Sequence, residues 1–313
     1  MRRALVALGA AAVVFSACVL LSASNASVGP IPGFTLDELG PDGGQVWQGS
    51  IANTVFRQAV GPSIVYLPPH YSAAVRYPVV YILHGLPGSP YSVVDGMALG
   101  TMADRLVTAG ILRPFIAVIP AGPRPKYDGE WGGKWERLLL DDVLPWSESH
   151  LPVEDVRSGR TLAGYSAGGF GAIDIGLRHP ATFATLEAWS GYFEPPHDGP
   201  FRRVSAATLS ANDPTAIAQR DAAALRRQHI RIFLSVGSTH DRWTEARTLE
   251  FAAELRALGI PHSLWLAPGG HNGKFWRRQL PAALEFAVPG AGAGAESART
   301  VIPPLAPVPH VRA

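Results

Sequence analysis

From residue 54 to residue 286 two hydrophobic patterns alternate along the chain. Short, nearly continuous apolar runs rich in Val, Ile and aromatic residues are separated by longer stretches whose apolar positions recur every three or four residues. The apolar runs at 77–85 (YPVVYILHG), 115–122 (FIAVIPAG), 160–165, 185–190, 230–237 (IRIFLSVG) and 262–270 (HSLWLAPGG) predict strands. The first of them has no polar face to offer water, as expected of a strand covered on both sides. Residues 54–58 and 63–67 predict an opening antiparallel hairpin. Helical spacing over 92–109, 134–150 (with Trp135, Leu138, Leu139 and Val143), 167–177, 243–258 and 273–286 predicts the intervening helices. Such alternation implies an α/β class, with a mostly parallel sheet and helices on both faces. No internal repeat is evident.

The two ends do not share this pattern. Met1-Arg2-Arg3 is a positive start, and residues 4–21 are apolar apart from Ser16. Small residues at Ser24 and Ala26 then offer a cleavage site, so residues 1–26 are expected to be a signal peptide. The apolar run is also close to the length of a short membrane helix, so an uncleaved N-terminal anchor is the alternative. Either reading places the protein outside the cytoplasm, secreted or associated with the cell envelope. Cys18, the only cysteine, falls in this leader, so the mature domain is expected to have no disulfide. Residues 289–313 are Gly/Ala-rich and then Pro-rich, without strand or helix period, and are expected to form a disordered tail. Residues 30–288 remain as the folded domain. The whole chain has 313 residues, 47% of them hydrophobic, enough to bury one large core. A formal net charge of +2 with scattered basic residues argues against nucleic acid as a partner.

Candidate chemistry gathers where predicted strands end, which is where ligands sit in parallel sheets. The stretch Gly164-Tyr165-Ser166-Ala167-Gly168 joins a predicted strand to a predicted helix and matches G-x-S-x-G, the nucleophile elbow. A hydroxyl is a poor nucleophile unless a base takes its proton and an acid orients the base. Downstream, Asp241 follows one predicted strand, and His271 lies on a Gly-rich loop between the last strand and the last helix. The order Ser, acid, His agrees with the α/β-hydrolase arrangement. Asp241 also suits a helix N-cap, and Glu245 and His240 are weaker substitutes. Donors for an oxyanion are expected from the N–H of Ala167, at a helix N-terminus, and of Leu86, in the loop HGLPGSP after the strand at 77–83. Pro87 has no N–H to offer. Trp131 is the candidate pocket residue, and Trp135 belongs to the core of its helix. Tyr165 and Trp276 are further candidates for substrate contact, Trp276 also for packing beside His271. The ten histidines lack metal-ligand spacing, and no phosphate loop or dinucleotide fingerprint occurs, so neither a metal nor a cofactor is expected.

Together YPVVYILHGLPGS, GYSAGGFGA, VGSTHD and GGHNGKFW resemble the esterase family of α/β-hydrolases. That family takes in esterase D/S-formylglutathione hydrolases, feruloyl-type esterases and the antigen 85 mycolyltransferases. The likeness runs from about Phe56 to Phe286. It implies an α/β-hydrolase fold, with Ser166 as nucleophile, Asp241 as acid, His271 as base, and Leu86 and Ala167 as the oxyanion hole. Residues 120–145 resemble the antigen 85 stretch that carries Tyr and two Trp ahead of a helix. The chain departs from that branch at the oxyanion loop, where Asp-Gly-Leu-Arg is replaced by His84-Gly85-Leu86-Pro87. Both sugar-holding side chains are lost, which points away from trehalose mycolyl transfer. The acid is an Asp where that branch has Glu. No insertion between Ser166 and Asp241 is long enough for a large lid domain, and residues 194–214 are expected to form a short flap.

The leading expectation is therefore an exported serine carboxylesterase acting on a small-molecule or lipid ester. The alternative is an acyltransferase that passes the acyl group to a sugar or lipid alcohol. A non-catalytic binding protein on the same fold is disfavoured by the intact Ser, Asp and His set.

Overall fold

A strand with five buried residues in succession must lie inside a sheet, and Val79–Leu83 does. The computed structural model describes residues 29–123 and 130–290. In chain order its strands and helices are β1 (Phe34–Leu39), β2 (Gln45–Gly49), β3 (Ser63–Leu67), β4 (Val79–Leu83), α1 (Leu99–Thr108), β5 (Ile116–Ile119), α2 (Lys134–Arg137), α3 (Leu144–His150), β6 (Arg160–Tyr165) and α4 (Ala167–Arg178). They continue with β7 (Thr185–Trp189), α5 (Ala206–Ala211), α6 (Pro214–Arg227), β8 (Arg231–Gly237), α7 (Arg242–Ala257), β9 (His262–Ala267) and α8 (Gly273–Ala287). The nine strands form one sheet in the order β1-β2-β3-β5-β4-β6-β7-β8-β9. Strands β5, β4, β6, β7, β8 and β9 run parallel, and β1 to β3 pair antiparallel at one edge. The chain steps from β4 outward to β5 and then returns to β6 on the other side of β4. The carboxyl ends of β4 and β6 therefore flank the switch point of the sheet, where a crevice opens between their loops.

Alternate side chains of each strand feed two cores, one per face. Leu186 and Ala188 of β7 join the core shared with α4, α6 and α7. Trp189 joins the opposite core, with Ala103 of α1 and Leu280 of α8. Glu187 shares that second face by alternation. It is 1% exposed, and its Oε2 accepts a hydrogen bond from Trp189 Nε1 at 2.9 Å. Burial is the main cause that pushes its carboxyl from 4.5 up to about 8. A carboxyl raised on folding binds more protons in the folded state than in the unfolded state between those two values. Its favourable contribution is whole below pH 4.5 and is lost as pH rises through about 8. Glu187→Gln keeps the acceptor and removes the titration. We expect the melting temperature of the variant relative to the parent to climb between pH 5 and pH 9. An unchanged difference in thermal melts across that window would mean that Glu187 is already ionised in the fold.

Several expectations need correction. Residues 54–58 form no strand: Thr54 donates its N–H and its hydroxyl to Asp142, and Phe56 N–H goes to Asn53 Oδ1. Phe56 then packs on Trp135 at 4.5 Å, so side-chain anchoring replaces strand pairing. The antiparallel partner of β3 is β2, which with β1 lies in a polar stretch that gives little strand signal. The helical runs expected at 92–109 and 134–150 are both interrupted. Residues Ser92–Gly96 are π-helical, and Ala98, at φ 56°, separates them from α1. Leu138–Val143 is π-helical between α2 and α3, just ahead of Pro145, which has no N–H to continue an α ladder. Residues 194–214, expected as a short flap, contain α5 and the first residue of α6, and none of them lines the cleft described below. The last folded residues extend past 288: Pro289 pairs with Leu112, and Gly290 N–H reaches Ile111 O at 2.9 Å. The expected leader at 1–26 and the tail from 291 lie outside the described residues. Among the described residues no helix is long and apolar enough to cross a membrane.

Candidate active site

The turn from β6 to α4 places Ser166 at φ 56° and ψ −122°, a backbone conformation that costs a non-glycine residue about 1–3 kcal/mol. The surroundings hold it there. Ser166 N–H donates to Trp189 O at 2.9 Å, and Ser166 O accepts from Gly169 N and Phe170 N at 2.9 and 3.1 Å. The flanking glycines are required by contact. A Cβ at Gly168 would lie 2.0 Å from Leu83 O, and one at Gly164 would lie 2.3 Å from Gly168 O.

Three side chains from three loops converge at this point. His271 Nε2 is 2.8 Å from Ser166 Oγ, and His271 Nδ1 is 3.0 Å from Asp241 Oδ2. A carboxylate accepts only, so Nδ1 carries the ring proton and Nε2 is left to accept from the hydroxyl. Asp241 stands at the N-cap position of α7, yet its side chain makes no capping hydrogen bond. It is 7% exposed and turned toward the imidazole. Glu245 and His240 do not take its place. The backbone of His240 pairs with Gly270. Next to it, Thr239 accepts the Gly269 N–H and donates its hydroxyl to Gly269 O. These bonds tie the loop of the acid to the loop of the base. Thr239 gave no signal in the sequence, because a loop threonine is ordinary until its partner is known. Asn272, beside the base, caps α8 by accepting Phe275 N–H at 3.1 Å. Trp276 stands edge-on to His271 at 5.0 Å and donates its Nε1–H to Ser190 Oγ at 3.2 Å, which fixes the wall against which the imidazole rests.

The loop after β4 closes the other side. His84, 1% exposed, places Nδ1 2.9 Å from Gly85 O. The carbonyl accepts, so this nitrogen donates. In a trans peptide the N–H points opposite to the C=O, so the Leu86 N–H is aimed away from the His84 ring. Ala167 opens α4, where the N–H has no acceptor one turn back and the helix dipole favours negative charge. Leu86, Met97, Tyr165, Ser166, His271 and Trp276 share a cleft of about 390 Å³. Tyr165 and Trp276, with ring centroids 4.6 Å apart, form one wall of it. Ser92 and Met97, from the interrupted helical run, line the same cleft and were not singled out by the sequence. Trp131 is elsewhere. It is fully buried and donates Nε1–H to His84 O at 2.8 Å, so the expectation that it lines a substrate pocket is corrected. A hydroxyl bonded to an imidazole that is itself bonded to a carboxylate is suited to attack on a carbonyl carbon.

Comparison with known proteins agrees with this architecture. A family model described as "Putative esterase" matches residues 62–287. Over 242 residues the chain is 29% identical to an esterase of Mycobacterium tuberculosis, covering 66% of this chain and 51% of the relative. The chain thus spans about half the length of that relative. A protein of Xylanibacter ruminicola named endo-1,4-beta-xylanase/feruloyl esterase is 33% identical over 138 residues, 41% of this chain and 19% of its own. Among solved structures, a ferulic acid esterase superposes with a TM-score of 0.69 at 25% identity, covering 78% of this chain and 98% of its own. An S-formylglutathione hydrolase from Staphylococcus aureus, at 17% identity and a TM-score of 0.64 over 78% of this chain and 98% of its own, shares the fold. With the family model spanning most of its folded residues and an α/β-hydrolase sheet beneath them, the chain belongs to the esterase family of α/β-hydrolases.

Proposed function

We propose that the protein is a serine carboxylic-ester hydrolase that works through an acyl-enzyme. The observation that carries this reading is the unbroken line of contacts from Ser166 through His271 to Asp241, at 2.8 and 3.0 Å. Ser166 Oγ attacks the ester carbonyl carbon while its proton passes to His271 Nε2. Asp241 holds the ring and offsets the positive charge that it gains. The carbonyl oxygen, now negative, lies against the N–H groups of Leu86 and Ala167. When the tetrahedral intermediate collapses, the C–O bond to the alcohol breaks and His271 returns the proton to the departing oxygen. Water then gives a proton to His271 and attacks the acyl carbon. The acid leaves, and the proton goes back to Ser166.

The cleft of about 390 Å³ suits one small acyl group, and its Tyr165–Trp276 wall suits an aromatic one. The two relatives named for feruloyl or ferulic acid esters favour the same choice. Export is part of the reading and is supported by the charged start and apolar run of residues 1–26. Intact-mass spectrometry after rapid mixing with p-nitrophenyl butyrate or methyl ferulate tests the proposal. We expect a transient mass gain of one acyl group, mapped to the peptide that contains Ser166. The same spectrum of protein recovered from its own cells is expected to begin near Ser27. Turnover without an acyl adduct on Ser166 would refute the mechanism. Acyl transfer to an added sugar, at the expense of free acid, would turn the assignment toward a transferase.

A further inference from the structure

The oxyanion loop leaves the sheet after Leu83, the last residue of β4 to pair with β6. The carbonyl of His84 therefore lies beyond the strand ladder, in the interior, and its acceptor is answered by a side chain. Trp131 Nε1–H reaches it at 2.8 Å, and the indole stands edge-on to the His84 ring at 5.3 Å. The indole is seated tightly. A Cβ at Gly122 would come within 2.3 Å of its ring, and a Cβ at Gly171, on α4, within 2.3 Å of its Cβ. Its neighbour Glu130 is fixed as well, because Tyr192 donates its hydroxyl to Glu130 Oε2 at 2.7 Å. Tyr192 stacks on Phe170 at 5.2 Å, and Phe170 N–H is bonded to Ser166 O. Trp131 is thus held from the α4 side and in turn grips the loop after β4. The two backbone donors expected at the oxyanion, from Ala167 and Leu86, belong to those two parts.

We infer that Trp131 is a positioning residue for the oxyanion loop: its indole N–H fixes the His84 carbonyl and, through the next peptide unit, the aim of the Leu86 N–H. The inference rests on the serine-hydrolase reading above. Trp131 touches no substrate, so its effect falls on the transition state and not on ground-state binding. An oxyanion donor acts through its placement at the charged oxygen.

The test compares Trp131→Phe with a variant that carries 3-benzothienylalanine at position 131. The second keeps the shape of indole and puts sulfur in place of N–H, so it decides the matter if Trp131→Phe does not fold. For p-nitrophenyl butyrate we expect kcat to fall about tenfold in both, with KM within about twofold of the parent. Affinity for a trifluoromethyl ketone, which forms a tetrahedral adduct, should fall by the same factor, while inhibition by butyrate stays unchanged. A lesion of packing alone would change melting temperature and leave this split unmoved. Full kcat and full ketone affinity in the benzothienyl variant would overturn the inference while the hydrolase reading stands, provided that Ser166→Ala is inactive. Hydrolysis that persists in Ser166→Ala would overturn both.

Discussion

Ser166→Ala is expected to lower kcat for ester hydrolysis by about 10⁴–10⁶-fold and to abolish labelling by a fluorophosphonate. The variant removes one oxygen, and that oxygen is the atom 2.8 Å from His271 Nε2. Everything that shapes the turn survives. The N–H to Trp189 O, the carbonyl shared by Gly169 and Phe170, and the glycine contacts at 164 and 168 are all backbone. Ala tolerates φ 56° no better and no worse than Ser. The melting temperature should therefore stay within a few degrees of the parent. His271→Ala is expected to cost nearly as much, and the double variant little more than either, because the two groups act as one unit. Kinetics and thermal melts of the three proteins check this. Ser166→Ala that keeps a hundredth of the parent rate in homogeneous protein would remove the serine from the mechanism.

Gly168→Ala is the second large effect, and it falls on folding. The new methyl would sit 2.0 Å from Leu83 O and 2.8 Å from His84 O. No rotamer relieves the contact, because a Cβ cannot swing away. Either the first turn of α4 lifts off the sheet or the end of β4 is pushed down. The first moves Ser166 and the second moves the loop of Leu86. A cost above about 4 kcal/mol is a large share of a stability of about 5–15 kcal/mol. We expect loss of soluble protein, or a melting temperature lower by about 10 °C or more. Gly96→Ala is the matched control, since a Cβ there meets nothing within 4 Å. If Gly168→Ala melts with Gly96→Ala, the close approach of α4 to β4 is not part of the native state.

The central parallel strands β4 and β5 were legible because burial on both faces leaves no polar positions to confuse the period. Residues 160–165 and the end of β8 at Gly237 were located to the residue. Strand β1 escaped because an edge strand is half wet, and β2 beside it because only its Val46 and Trp47 are buried. Leu36 and Leu39 are 45% and 64% exposed, and Asp37 and Glu38 sit between them. The interruptions at Ser92–Gly96 and Leu138–Val143 could not be read, since a π turn shifts the hydrophobic phase by only one residue. At the site, spacing and topology gave the Ser, Asp and His positions, because each stands where a strand ends. Of the three aromatics named for the cleft, Tyr165 and Trp276 line it and Trp131 does not. Trp131 and Trp276 both flank candidate loops, and only three-dimensional packing puts the first beneath His84 and the second beside His271.

The anchoring of Pro289 and Gly290 against Leu112 and Ile111 has a practical consequence. Leu112 precedes β5 at the amino ends of the parallel strands, the pole opposite Ser166. Whatever is joined to the chain after Gly290 departs from that far pole. A surface, bead or reporter joined directly at Gly290 should thus leave the mouth of the cleft open to bulky esters.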